Sequence, residues 1–163
     1  YSTLDFSRHP LSESTLLDNC GATHVVNDVR MLDEGTLVKE RPGRTIEAGT
    51  SSLPVISRDT CTIKGILNGK NGKVNLVLND VAVVEGFHVN IVSEALLCKK
   101  GAWYYRYDGT LRIRDEHESS VLLITTRLYN VVFIEYKPLS TYSNALANVP
   151  TSTGNVLIYP TLE

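Results

Sequence analysis

The chain has 163 residues, of which 42% are hydrophobic and 21% charged, and a formal net charge of −2. That is enough apolar material for a real core in one domain or one domain with an appendage. Nothing in it suggests a disordered chain or an electrostatic nucleic-acid binder, and no apolar run approaches the ~18 residues of a membrane span.

In chain order, the first informative stretch is Thr15-Leu16-Leu17-Asp18-Asn19-Cys20-Gly21-Ala22-Thr23-His24. Apolar residues lead into an Asp that sits in a tight, glycine-containing turn, followed by more strand-like residues. This is how a buried strand delivers a carboxylate to an aspartic-protease half-site, where two such groups share a proton because like charges about 3 Å apart do not both ionise. One motif per chain means that the second Asp comes from an identical partner. The alternative is an ordinary Asx turn between two strands. A weak helical turn is expected at residues 29–32.

Residues 60–67 and 73–79 read as a hairpin around Asn68-Gly69 and Asn71-Gly72. One helix is expected at residues 93–100, with Ser93 as cap, Glu94 at the positive end, Lys99-Lys100 at the negative end and Gly101 as the left-handed stop. Residues 103–107 and 110–114 flank Asp108-Gly109, a dipeptide suited to a type I′ turn. Strands are expected at 120–125 and 128–136. After Pro138 the composition turns to Ser, Thr, Asn, Pro and Ala, a polar linker or tail over 138–163.

The cysteines, Cys20, Cys61 and Cys98, are odd in number and widely spaced, and read as reduced thiols of a cytosolic-type compartment. His9, His24, His88 and His117 show no metal-ligand spacing. The abrupt start at Tyr1 and the close in Leu162-Glu163 read as a piece cut from a longer chain, the final dipeptide as a cloning remnant. The pattern as a whole predicts an all-β fold, a small closed barrel with one short helix and an additional C-terminal hairpin. The expected units are residues 1–100 for the barrel, 101–137 for the hairpin segment and 138–163 for the tail.

Several segments in order carry a family resemblance over roughly residues 9–137. Asp18 through Asp28 resembles the pattern Asp-Ser/Thr-Gly-Ala-x-x-His-x-x-Asn-Asp. Ala48-Gly49-Thr50-Ser51-Ser52-Leu53 resembles a flap region. The stretch from Leu78 to Ser93, with Val83-Val84-Glu85-Gly86-Phe87 at its centre, is the most specific match. Lys99-Lys100-Gly101-Ala102-Trp103 and Leu128-Tyr129-Asn130-Val131-Val132-Phe133 resemble the start of a pre-integrase segment. Together they resemble the protease region of a copia-type retrotransposon Pol polyprotein, with a retropepsin-like fold.

The resemblance implies an aspartic endopeptidase, intracellular and within virus-like particles, that cleaves polyprotein substrate as a homodimer and needs no cofactor or metal. Asp18 is then the catalytic carboxylate, Asn19, Cys20, Gly21, Ala22 and Thr23 form the active-site turn, and residues 48–53 form the flap. Asn90, Ile91, Val92 and Ser93 pack under that turn. The N-terminal segment, residues 2–11, is the expected interface strand. Asn19 and Cys20 stand where the family has a hydroxyl residue and Gly, so Cys20 is expected to strain the turn. A register slipped by one places Asn19 at the catalytic position and gives an inactive protein, although the six-residue spacing to His24 favours Asp18. Ser57-Arg58-Asp59 is expected to replace a glycine-rich flap segment, and Glu85 a proline. The alternative function is an inactive pepsin-like barrel of the same descent, serving as a structural or protein-binding module.

Overall fold

The computed structural model describes residues 9–35, 38–40, 42–70, 72–114 and 119–139. In chain order the strands are β1 (Thr15–Asp18), β2 (Val25–Val26), β3 (Val38–Lys39), β4 (Thr45–Ala48), β5 (Ser51–Pro54), β6 (Ser57–Leu67), β7 (Lys73–Val83) and β8 (Asn90–Ser93). Helix α1 (Glu94–Lys99) follows, then β9 (Ala102–Tyr105), β10 (Thr110–Arg114), β11 (Ser119–Ile124), β12 (Thr126–Leu128) and β13 (Val131–Glu135). The fold is mostly β, and α1 is the one α-helix among the described residues.

Long strands β6 and β7 form the expected hairpin. Alternation sends Cys61 and Ile63 inward from β6, and Leu76 and Leu78 from β7. Its register shifts between Asp59 and Cys61 and again between Ile63 and Ile66, close to the left-handed residues Asp80 (φ 55) and Gly65 (φ 74). Helix α1 is bounded as its sequence predicts. The Ser93 side chain accepts from the Leu96 N–H, and Gly101 stands at φ 80 just beyond the last turn. The weak turn at 29–32 is a single 3-10 turn, Val29–Met31, capped by Asp28.

The main sheet has eight strands in the order β12-β13-β1-β8-β2-β7-β6-β3; β11-β10-β9 form a second sheet and β4-β5 a two-stranded one. The sheet is open, which corrects the expected closed barrel. Its edge strands β12 and β3 are three and two residues long and stand at opposite ends. Strands that short pair with little beyond their own neighbour, which also leaves little free edge. The expected C-terminal hairpin is present as β9-β10 and gains β11 as a third strand. Its loop is not the two-residue type I′ turn. Residues 106–109 form the connection, Thr110 pairs with Tyr105, and only Gly109 has positive φ. The Asp108 carboxylate takes the Thr110 N–H (3.1 Å) and hydroxyl (2.6 Å), which keeps Asp108 out of the left-handed region.

One core joins the main sheet to the β9-β10-β11 sheet, and a smaller cluster of Val25, Val55, Ala82 and Val84 carries Ile46 and Leu53 of the β4-β5 hairpin. Val81, Val83, Val92, Leu97, Ala102, Leu111, Leu123 and Ile134 are buried in a single cluster, so residues on both sides of the α1–β9 junction share it. Most of the proposed N-terminal interface segment, residues 2–8, and the tail from residue 140 lie outside the described residues.

Candidate active site

Two strands frame Asp18. Its own strand β1 runs parallel to β8, with Leu16 opposite Ile91, Leu17 opposite Val92 and Asp18 opposite Ser93. Across β1, antiparallel β13 completes the pairing, with Thr15 opposite Glu135 and Leu16 opposite Phe133. The chain then turns through residues 19–24 and returns as β2, which pairs antiparallel with β8 at Val25 and Ile91. Strand β8 therefore lies between the two strands that flank the Asp18 turn. Asn90, Ile91, Val92 and Ser93 thus run alongside that turn.

Buried polar contacts hold the turn to β8. The Ser93 hydroxyl donates to the Gly21 carbonyl (2.5 Å), and the Ser93 N–H donates to His24 Nδ1 (3.0 Å). His24 is thereby fixed as a neutral ring with its proton on Nε2. Burial pushes its pKa down, Lys100 adds to that effect, and Asp80 opposes it. Fully buried Asn90 accepts the Asn27 N–H (3.0 Å) and donates to the carbonyls of Ser14 (3.1 Å) and Ser12 (3.3 Å). The Asn27 amide donates in turn to the carbonyls of Ser12 (2.8 Å) and Phe87 (3.1 Å). Arg58 Nη1 lies 3.4 Å from the Thr23 hydroxyl and 3.4 Å from Asp80 Oδ1, and its Nε is 3.1 Å from Glu40. Ser93 of β8 and Arg58 of β6 thus reach the turn itself, and Asn90 with Asn27 ties Ser12, Ser14 and Phe87 to the end of β2.

The carboxylate itself is half-buried, and its Oδ1 accepts the Cys20 N–H at 2.9 Å. A Cβ at Gly21 would stand 3.0 Å from Asp18 Oδ2 and 3.6 Å from Ile91 Cγ2. The glycine that this turn requires is thus Gly21, for close approach to the carboxylate. Cys20 is exposed and free of positive φ, with its thiol 3.3 Å from the Asn19 side-chain oxygen, so the expected strain there is absent.

A cleft of about 610 Å³ opens beside Asp18. The turn residues Cys20, Gly21, Ala22 and Thr23 line it with Val25, Phe87 and Ile91 on one side, and Thr45, Ile46, Glu47, Ala48 and Gly49 of the β4-β5 hairpin join them. The hairpin turns through Gly49 (φ 62) and Thr50, with Gly49 alone in the left-handed region, as a II′-type turn needs. Of the flap candidates, Ala48 and Gly49 reach the cleft, whereas Thr50, Ser51, Ser52 and Leu53 do not line it. Ser57-Arg58-Asp59 opens β6 and is no part of the hairpin, which corrects the sequence reading. Asn19 does not line this cleft and faces a second pocket of about 440 Å³, while Asp18 and Ile91 line both. Asp18 thus stands on the partition between the two cavities.

His24, Asn27 and Arg58 are the residues that sequence reasoning passed over as site components. His24 and Asn27 lie inside the quoted motif, but the partners that give them a role are 69 and 63 residues away. Among the described residues, no three His, Cys, Asp or Glu side chains gather as a metal site, and no helix is long and apolar enough to cross a membrane. Comparison with protein-family models, curated proteins and solved structures finds no match.

Proposed function

We propose that this chain is a retropepsin-like aspartic endopeptidase domain of a copia-type retrotransposon polyprotein, active as a homodimer inside the cell that makes it. The observation that carries the reading is the placement of Asp18. A strand end holds this carboxylate against Gly21, on the wall of a cleft that a glycine-turned hairpin shares. Extended peptide can lie in that cleft between the turn and β4, hydrogen-bonded as an added strand.

With an Asp18 from each of two chains, the pair holds one proton. The ionised carboxylate takes a proton from water as the water oxygen attacks the peptide carbonyl carbon. The protonated one donates to the carbonyl oxygen, and collapse of the tetrahedral intermediate breaks the C–N bond with a proton passed to nitrogen. The Asn19 amide offers no such proton-sharing group, and it lies outside the hairpin cleft. The deciding experiment is cleavage of a polyprotein-derived peptide library by wild type and Asp18→Asn over acidic to neutral pH. Cleavage that peaks in mild acid and disappears in Asp18→Asn is expected. Cleavage that survives the substitution refutes the assignment.

A second reading is an inactive module of the same fold, favoured by Asn19 in place of the hydroxyl residue beside the carboxylate. It predicts no Asp18-dependent cleavage from a protein that still binds polypeptide.

A further inference from the structure

The partition that carries Asp18 has two unlike sides. On one, the chain's own β4-β5 hairpin already shares the cleft. On the other, the 440 Å³ pocket is walled by Glu94, Tyr104, Arg106 and Arg127, and by Asn130 and Val131 from the β12-β13 turn. We infer that this second pocket and the β12-β13 turn form the face on which a second copy of the chain sits, placing its own Asp18 against the partition. The inference rests on the peptidase reading and names the surface that reading needs.

Three observations point to a second copy as the occupant. First, a site with one carboxylate per chain is incomplete without its partner, and Asp18 lines this pocket as well as the cleft its own hairpin shares. Second, the pocket holds both signs of charge, and among the described residues neither Arg106 nor Arg127 is in a salt bridge. A two-fold contact sets a patch against itself, so a patch with Glu94 beside these two arginines is self-complementary where a patch of one sign would repel. Third, the turn at the rim exposes apolar surface. Tyr129 and Asn130 are both in the left-handed region, at φ 49 and 64, in a two-residue connection between Leu128 and Val131. A bulky aromatic at positive φ is uncommon. Tyr129 is nonetheless 69% exposed and Val131 39%, so both leave water when a partner docks. This face belongs to the strands after α1, in place of the N-terminal segment that the sequence suggested.

The test is sedimentation equilibrium of the full chain, with Asp18-dependent peptide cleavage followed on the same samples. The proteins are wild type, Val131→Asp, Arg127→Glu and, as a control on a remote exposed residue, Val77→Asp. Circular dichroism and thermal melting check that each is folded. Wild type is expected to dimerise. Val131→Asp and Arg127→Glu should each weaken the dimer at least tenfold and lose cleavage in proportion, with activity returning at higher protein concentration; Val77→Asp should change neither. If folded Val131→Asp and Arg127→Glu dimerise and cleave like wild type, the interface lies elsewhere and the peptidase reading is untouched. A wild type that stays monomeric at every concentration also overturns the inference. A dimer that both variants weaken, but that never cleaves peptide, upholds the face and removes the peptidase reading.

Discussion

Gly21→Ala separates the chemistry of the site from its folding. The new Cβ would stand 3.0 Å from Asp18 Oδ2, 3.5 Å from its Cγ and 3.6 Å from Ile91 Cγ2, so only the first contact is too close. Gly21 is outside the left-handed region, so alanine adopts its backbone without strain. Replacing such a glycine stabilises a fold by about 0.4–1 kcal/mol through the unfolded chain. A mild overpacking opposes this at about 1 kcal/mol. The two nearly cancel, and the melting temperature should move by no more than about 4 °C. The carboxylate, however, must give by a few tenths of an ångström against the Cys20 N–H that holds its other oxygen. Reacting groups need placement within about 0.5 Å, and a two-fold dimer carries the error twice, so kcat should fall at least about tenfold with KM little changed. Steady-state cleavage beside a thermal melt measures both quantities. Wild-type kcat in a folded Gly21→Ala protein would show that the Asp18 carboxylate is not the reacting group.

Three further outcomes follow from the same contacts. His24 has a lowered pKa when folded, so the unfolded chain takes up its proton first. Its contribution to stability is present above about pH 6.5 and is lost as pH falls through the folded value. Denaturant midpoints from pH 8 to 5 should therefore drop more steeply in wild type than in His24→Gln, and parallel curves would refute the assignment. Asn90→Leu strands the Asn27 N–H, while the Ser12 and Ser14 carbonyls keep the Asn27 amide and the residue-90 N–H, so urea unfolding should show a loss of about 1–3 kcal/mol. Burial pushes the Cys61 thiol up to about 11, whereas Cys20 and Cys98 are exposed. Iodoacetamide should label those two in the native protein, and mass spectrometry should find Cys61 modified only after unfolding.

Local chemistry made part of this structure legible in the sequence. Ser93, Glu94, Lys99 and Gly101 are cap, dipole and stop signals within a few residues of one another, and α1 ends where they say. The β6-β7 hairpin is legible for the same reason, since its turn signals sit between two alternating runs. What escaped depends on partners far away. Nothing near Thr15 announces Glu135 as its neighbour, and the open sheet follows from such pairings. In the site, the position of Asp18 could be read from the apolar run before it, but the choice between Cys20 and Gly21 as the required glycine position could not. It depends on where the turn presses against the carboxylate, and the three-dimensional path puts that point at Gly21. The Asp108-Gly109 dipeptide misled because the Asp108 carboxylate is held by Thr110 and Arg112 of the following strand β10.

The pairing of β1 with β13 also fixes when the site can exist. The Lys137 N–H donates to the Ser14 side chain across 123 residues of sequence, and Glu135 lies opposite Thr15 at the head of the strand that carries Asp18. On a ribosome, β1 emerges early and waits with one edge unfilled while β2 through β12 are made. Long-range pairing of this kind is slow to form, because the loop must close before the contact rewards it. A carboxylate on such a strand gains its final position only after the segment following α1 has been synthesised and has folded back. For the peptidase proposed above, this order of events would hold back cleavage of its own precursor until β13 is in place.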